Sequence, residues 1–280
     1  MFAESDRGVP KQQDADECFQ LLLNNIKDCI KNETNEEKFS SNLIDELFGV
    51  EAEIKYENVE EQSEKKVKKE VLNKLICYID SQTTELVQGL KLSQKENVEL
   101  FSDSLSRNAI FQKTQFINRL PPYLTVQFMR FFWKKGNVET GAKEGKAKIL
   151  KSVLFSKIID IYDLCSDSTK ELINLGRDIE TKYLKEDKNF RIDKVQKTEN
   201  MIPTGRYQLI GVVTHQGRSS DSGHYIGWVH KKEEKWTKYD DDSITTVSTQ
   251  DILELKGGGD WHMAYICLFK RLEVPFANLE

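Results

Sequence analysis

The sequence predicts an α+β fold: a helical piece near the N-terminus set against a mainly antiparallel sheet. Three observations carry this. Apolar residues recur at three- and four-residue intervals between Gln13 and Ile30, as on one face of a helix. Short runs rich in β-branched and aromatic residues follow from Leu72. After Pro203 such runs return at intervals of roughly ten residues, separated by turn-forming residues.

In the first helix Ala15, Cys18, Phe19, Leu22, Ile26, Cys29 and Ile30 form the apolar stripe. Asp14 stands at the N-cap and Glu17 three residues on, a capping-box-like start. The segment LIDELFGVEAEIKY reads as a short helix turning at Gly49 into a strand. Residues 57–70 carry a block of glutamates followed by a block of lysines, which reads as a solvated helix or a flexible insertion. KLICYID, NAIFQKTQFI and YLTVQFMRFFW are strand-like, with Pro121 and Pro122 necessarily outside any central ladder. GNVETGAKEGKAK reads as a mobile hairpin tip, and residues 165–203 as a charged insertion with a helix in its middle. YQLIGVVTH, HYIGWVH, KWTKYD and SITTV are further strands, TQDILEL a short helix, and HMAYICLFK the closing strand.

The 280 residues are 38% hydrophobic and 31% charged. With 41 basic and 46 acidic side chains the net charge is −5, which offers nucleic acid no basic field and suits a basic partner better. No run approaches the roughly 18 apolar residues of a membrane helix, so no membrane role is expected. The opening residues show no apolar core of a signal peptide. Five cysteines, odd in number and without a CxxC pair, argue for reduced thiols in the cytoplasm or nucleus, with no disulfide framework and no structural zinc.

Chemistry concentrates in GVVTHQGRSSDSGHYIGWVHKKEEKWTKYDDDSITTV. Gly223, His224 and Tyr225 open one strand, and Asp240 closes the next, a spacing that suits two neighbouring strands of a hairpin. A carboxylate on one imidazole nitrogen fixes the tautomer and leaves the other nitrogen to take a proton from a thiol or hydroxyl. Gly223 leaves the backbone bare just before the base. The plainer alternative is a strand histidine that merely pairs with an acid.

Together QQDADE, RLPPYLTVQFMRFFWK, SGHYIGWV with WTKYDDD, and DWHMAYICLFK resemble the ubiquitin-specific protease family of papain-like thiol hydrolases, nearly end to end and in order. THQGRSSDSGHY and GGGDWH are most similar to its proteasome-associated branch. The resemblance implies a papain-like fold of thumb, palm and fingers: residues 1–47 a thumb remnant, 48–118 fingers-like, and 119–280 the palm with its insertion. It implies cleavage of the isopeptide bond after ubiquitin's terminal diglycine, without metal or organic cofactor. Ubiquitin, polyubiquitin conjugates and the regulatory particle of the 26S proteasome are the implied partners. In that pattern His224 matches the general base, Asp240 the acid that orients it, and Asp241 a supporting hydrogen-bond partner. Gln13 and Asp14 match the motif that grips the basic ubiquitin tail, Gly223 and Tyr225 line its channel, and Gln216 to Gly223 match a mobile blocking loop. Many members hold zinc in the fingers through two CxxC pairs; here Cys77 stands alone.

The family's nucleophile belongs to a Gly-Asn-Thr-Cys-type box upstream of the QQD motif, and no such box occurs here. Cys18 and Cys29 fall on the apolar stripe and are expected in the core, Cys267 lies in an apolar strand, and Cys77 and Cys165 lack a cationic setting. The chain is therefore expected to hold a base and its orienter without a thiol, and to bare apolar surface on the first helix. An inactive form that binds ubiquitin or the proteasome is the alternative. His215, His262, Trp228, Trp236 and Trp261 are read as structural, and His230 as solvated.

Overall fold

A two-residue ribbon, β1 (Ser5–Asp6) against β2 (Val9–Pro10), precedes helix α1 (Ala15–Glu33) in a computed structural model that describes residues 5–6, 9–10, 13–33, 43–134, 144–198, 200–219 and 222–276. Asp14 caps α1: its Oδ1 accepts the amide of Asp16 at 2.8 Å. Helix α2 (Leu43–Phe48) turns at Gly49 into β3 (Val50–Asn58). A Cβ at Gly49 would stand 2.3 Å from Asp45 O, so the turn needs glycine. There follow β4 (Lys65–Leu72), β5 (Leu75–Cys77), α3 (Leu86–Ser93), β6 (Lys95–Ser102), β7 (Arg107–Arg119), β8 (Tyr123–Phe128), β9 (Phe131–Lys134), β10 (Gly145–Lys148) and β11 (Ile158–Asp160). Helix α4 (Asp167–Glu186), β12 (Met201–Ser219), β13 (Ser222–Lys232), β14 (Lys235–Asp240), β15 (Ser243–Ser248), α5 (Thr249–Leu253) and β16 (Met263–Pro275) complete the chain.

The expected helix or insertion over residues 57–70 is instead a hairpin. Strands β3 and β4 pair antiparallel in a four-stranded sheet of order β4-β3-β7-β6, with Glu57 opposite Lys65 and Glu53 opposite Lys69. The two charge blocks are complementary across strands: Lys65 Nζ meets Glu57 Oε1 at 3.0 Å. The hairpin tips are joined by buried Asn58 and Ser102 around Glu64, with Asn58 Nδ2 donating to Glu64 Oε2 at 2.8 Å and Ser102 Oγ at 2.5 Å.

The second sheet has eight strands, β15-β14-β13-β12-β16-β8-β5 with β11 on β12, antiparallel except for β5 on β8. One face holds the main core, where Val126, Phe128, Leu209, Trp228, Trp236, Cys267 and Phe269 meet α3 and α5. Within residues 165–203, α4 lays Ile173, Gly176 and Ile179 down as buried residues, with Gly176 close against Pro203 O. Arg130 is fully buried and serves as a hub: Nε donates to Ala264 O at 2.9 Å, Nη1 to Ile149 O and Lys151 O at 3.1 and 2.9 Å, and Nη2 to Lys256 O at 3.1 Å. The hairpin tip expected over GNVETGAKEGKAK lies largely outside the described residues (135–143); its flanks pair as β9 and β10.

The sheet's other face is covered incompletely by α1. Between them runs an apolar groove of about 350 Å³, lined by Ala15, Cys18, Phe19 and Leu22 of α1 and by Val213, Val229 and Leu268 among the sheet residues. Leu21, Leu22 and Ile26 are 43%, 50% and 39% exposed, because no described residue covers this side of α1. For the same reason Cys18 and Cys29 are exposed, contrary to the core placement predicted from their stripe. Trp228 and Trp236 are core residues as predicted, but Trp261 is 53% exposed.

Candidate active site

Strands β13 and β14 are neighbours in register, Gly227 opposite Tyr239, and they deliver His224 and Asp240 to one place. His224 Nε2 lies 2.6 Å from Asp240 Oδ1. A carboxylate only accepts, so Nε2–H donates and the neutral ring keeps Nδ1 as its basic nitrogen. The imidazole is 39% exposed and thus reachable. The hydrogen bond from His224, and then Lys238 at 2.8 Å, hold the Asp240 carboxyl down at about 2, below its usual 3.8.

Lys238, which the sequence does not single out, is the second partner of the Asp240 carboxylate. Asp241 Oδ2 lies 4.0 Å from His224 Nε2, too far for a hydrogen bond, and its side chain is 83% exposed. Its φ of 47°, at the β14–β15 turn, swings it away from the pair. Because Asp240 titrates lower in the folded chain than its ordinary value, its pairing stabilises the fold above about pH 3.8 and is lost as pH falls toward about 2. Lys238→Met is expected to raise the Asp240 midpoint, read by carbon NMR of its carboxyl; an unmoved midpoint would remove Lys238 from the site.

Gly223, at φ 138°, precedes His224; a Cβ there would lie 2.1 Å from Gln216 O and 2.6 Å from His215 Nε2, so only glycine fits. The expected blocking loop is largely strand: Gln216 pairs with His224 and Ser219 with Ser222, with a bulge between, while residues 220–221 lie outside the described residues. Glycine and serine content signalled a loop, but the strands carry their ladder past His215.

Behind His224 stands His262, ring centroids 5.6 Å apart and edge-to-face. Its Nδ1 lies 3.3 Å from Thr214 Oγ1, which in turn accepts Trp228 Nε1 at 2.9 Å. Burial, then the neighbouring His224, bring His262 down to about 4, so it is neutral at physiological pH. His215 is fully buried, with Lys148 Nζ 2.9 Å from its Nδ1 and 2.8 Å from its carbonyl. Burial and then Lys148 lower His215 to about 4; burial lowers Lys148 itself to about 8. His230, read as solvated, is half-buried against the Trp236 ring, with its Nε2 2.8 Å from Glu233 O.

Asp14 comes to the same end of the molecule. Tyr265 Oη lies 2.9 and 2.8 Å from its two carboxylate oxygens and accepts Gln127 Nε2 at 3.0 Å. Tyr225 packs against His215 with ring centroids 4.6 Å apart and planes tilted by 54°, and approaches Tyr265 at 6.3 Å. Gln13, at the mouth of α1, adjoins Asp14. Phe131, Gln127 and Tyr265, read from sequence only as strand residues, and Lys148, read as part of the hairpin tip, complete this wall.

Burial drives the thiols of Cys77 and Cys165 up to about 12 and raises Cys267 further, so none of these is a thiolate at neutral pH. Cys18 opens onto the apolar groove, away from any cation lining it. The ligand atoms of His224, Asp240 and Asp241 lie within 4.8 Å of one another, the one such grouping among the described residues, but Lys238 already supplies Asp240 with a cation.

The model of the family described as ubiquitin carboxyl-terminal hydrolase matches residues 4–269. The chain is 34% identical to ubiquitin carboxyl-terminal hydrolase 6 of Arabidopsis thaliana, over 96% of this chain and 61% of that protein. It is 36% identical to ubiquitin carboxyl-terminal hydrolase 14 of Caenorhabditis elegans, over 93% of this chain and 55% of that protein. It therefore spans less than two thirds of these relatives. The fold is similar to a chain of the SAGA Ubp8/Sgf11/Sus1/Sgf73 DUB module bound to ubiquitin aldehyde, with TM-score 0.64 and 19% identity, covering 93% of this chain and 50% of that one.

Proposed function

The chain belongs to the ubiquitin carboxyl-terminal hydrolase family, and we propose that it supplies the base, the orienter and much of the substrate surface of a thiol protease that cleaves after ubiquitin's terminal glycine. The His224 to Asp240 hydrogen bond of 2.6 Å carries this reading. Nδ1 of His224 takes the proton of a thiol, the thiolate attacks the glycyl carbonyl, and the imidazolium returns that proton to the departing amine as the C–N bond breaks. Water then attacks the thioester, giving a proton to the same nitrogen; the C–S bond breaks, that proton passes to the departing sulfur, and ubiquitin leaves with a free C-terminal carboxyl group. His262 and Thr214 back the base, and Asp14, fixed by Tyr265 and α1, presents its negative charge to the basic tail.

The thiol is proposed to come from a helix seated in the groove beside α1, since the cysteines at 77, 165 and 267 are buried and Cys18 faces carbon. Such a helix would cover Leu22 and its exposed neighbours. Ubiquitin conjugates held at the regulatory particle of the 26S proteasome, in cytoplasm and nucleus, are the proposed setting, supported by the likeness of THQGRSSDSGHY and GGGDWH to the proteasome-associated branch.

Calorimetry tests the substrate. This chain is expected to bind ubiquitin about tenfold or more tightly than ubiquitin lacking its terminal diglycine, the equivalent of roughly 1.4 kcal/mol. Equal affinity for the two would overturn the assignment.

A further inference from the structure

The two large sheets have five outer strands, and four are guarded, three-residue β11 by its shortness and by Asp160, which pairs with Arg177. Strand β5 is overlain by α3, with Tyr78 N donating to Gly89 O at 3.1 Å and Gly89 packed so closely that a Cβ would stand 2.3 Å from Cys77 Sγ. Strand β4 carries Lys65, Lys66, Lys68 and Lys69, and β6 carries Lys95, Glu96 and Glu99; charged side chains on an edge oppose pairing by another chain. Among the described residues, strand β15 has no such guard. Its sequence, Ser-Ile-Thr-Thr-Val-Ser, is uncharged, free of proline and β-branched at four of six positions. It ends the eight-stranded sheet, pairs with β14 without a bulge, and is exposed at every residue but Val247, which is half-buried.

The hydrogen-bond phase of this edge follows from its turn. Asp240 and Ser243 flank the two-residue turn Asp241–Asp242 and form the last bonded pair of the hairpin. Bonded and non-bonded pairs alternate along an antiparallel ladder, so Ser243, Thr245 and Val247 bond inward. The N–H and C=O groups of Ile244 and Thr246 therefore point to the open side. The amide of Ser248 is already taken by Asp251 Oδ2 at 2.8 Å.

We propose that β15 is a docking edge for an extended segment of a partner protein, added as a further strand, with β-branched residues along its length and basic residues where it meets Asp241 and Asp242. Charge selects this occupant. A second copy paired antiparallel across β15, with Ile244 opposite Thr246 so that outward groups meet, brings only uncharged β15 residues to this edge and leaves Asp241 and Asp242 without a basic partner from that strand. A basic end on the incoming strand meets the acidic turn instead. The surface is distinct from the cleft proposed for ubiquitin's tail, yet only the turn separates it from Asp240.

The probe is an acetylated, amidated peptide, Thr-Val-Thr-Ile-Thr-Lys-Lys, added to the whole chain and followed by amide hydrogen exchange and fluorescence anisotropy. Docking is expected to slow exchange of the Ile244 and Thr246 amides selectively and to weaken about tenfold or more when the two lysines are replaced by glutamates. N-methylating alternate peptide amides should abolish it without touching the protein. Thr246→Pro, which removes an outward N–H and no ladder bond, should do the same while the rest of the amide spectrum is retained. Protection elsewhere, or binding indifferent to N-methylation, would overturn the proposal. So would concentration-dependent dimerisation of the chain alone that Thr246→Pro abolishes, since β15 would then serve a second copy.

Discussion

Replacing His224 by alanine is expected to lower kcat for ubiquitin C-terminal amide hydrolysis by roughly 10²–10⁴, the usual worth of a positioned general base, with KM nearly unchanged. The expectation concerns the form of the protein that carries the thiol. His224 is half-exposed at the end of β13 and leaves the core untouched when shortened, so the loss falls on chemistry rather than folding. Asp240→Asn tests the tautomer. An asparagine presents either a donor or an acceptor to Nε2, so the ring is no longer compelled to keep Nδ1 bare. Its kcat should also fall, again with KM nearly constant. Steady-state kinetics with a fluorogenic ubiquitin amide separates the two constants. A KM effect at constant kcat would make His224 a binding residue instead.

Arg130→Met is expected to destabilise the fold by about 3–5 kcal/mol, because it removes a buried guanidinium and strands the four carbonyls it serves, that of Ala264 buried and the others partly buried. Arg130 ties the end of β8 to β16, to residues 149–151 and to Lys256, so its loss loosens several segments together. Burial lowers its guanidinium to about 10, which leaves it charged at neutral pH. At 2–4 °C per kcal/mol for a domain of roughly this size, the melting temperature should drop by roughly 6–20 °C. Arg130→Lys should recover little, since one ammonium has three donors and no planar fork. Differential scanning calorimetry reads both. A shift of a degree or two would show that water replaces the guanidinium at little cost.

Period and punctuation made much of the fold legible. The α1 stripe, the turn at Gly49, the strands from YQLIGVVTH to SITTV and the closing strand lie where spacing placed them. The β3–β4 hairpin was hidden because its stabilising pattern is cross-strand, Glu57 against Lys65, and a linear reading sees only two charge blocks. Cys18 and Cys29 were misplaced because a stripe predicts a face and not whether anything covers it. In the site, His224 and Asp240 were legible from strand spacing, while Lys238 was masked by its ordinary place in an exposed-looking strand. Adjacency in sequence says nothing of the positive φ at Asp241, which leaves its carboxylate 4.0 Å from His224 Nε2. Tyr265, Lys148 and Thr214 act through contacts between residues tens of positions apart, and such contacts leave no mark on a single sequence.

The most direct test of the central claim is labelling by ubiquitin that carries a C-terminal electrophile, with peptide mapping of the adduct. The account predicts no adduct on Cys18, Cys29, Cys77, Cys165 or Cys267. In the form of the protein that includes the groove-filling helix, it predicts an adduct on that helix, slowed about a hundredfold or more by His224→Ala. An adduct on any of the five cysteines, or labelling of the helix that ignores His224→Ala, would contradict it.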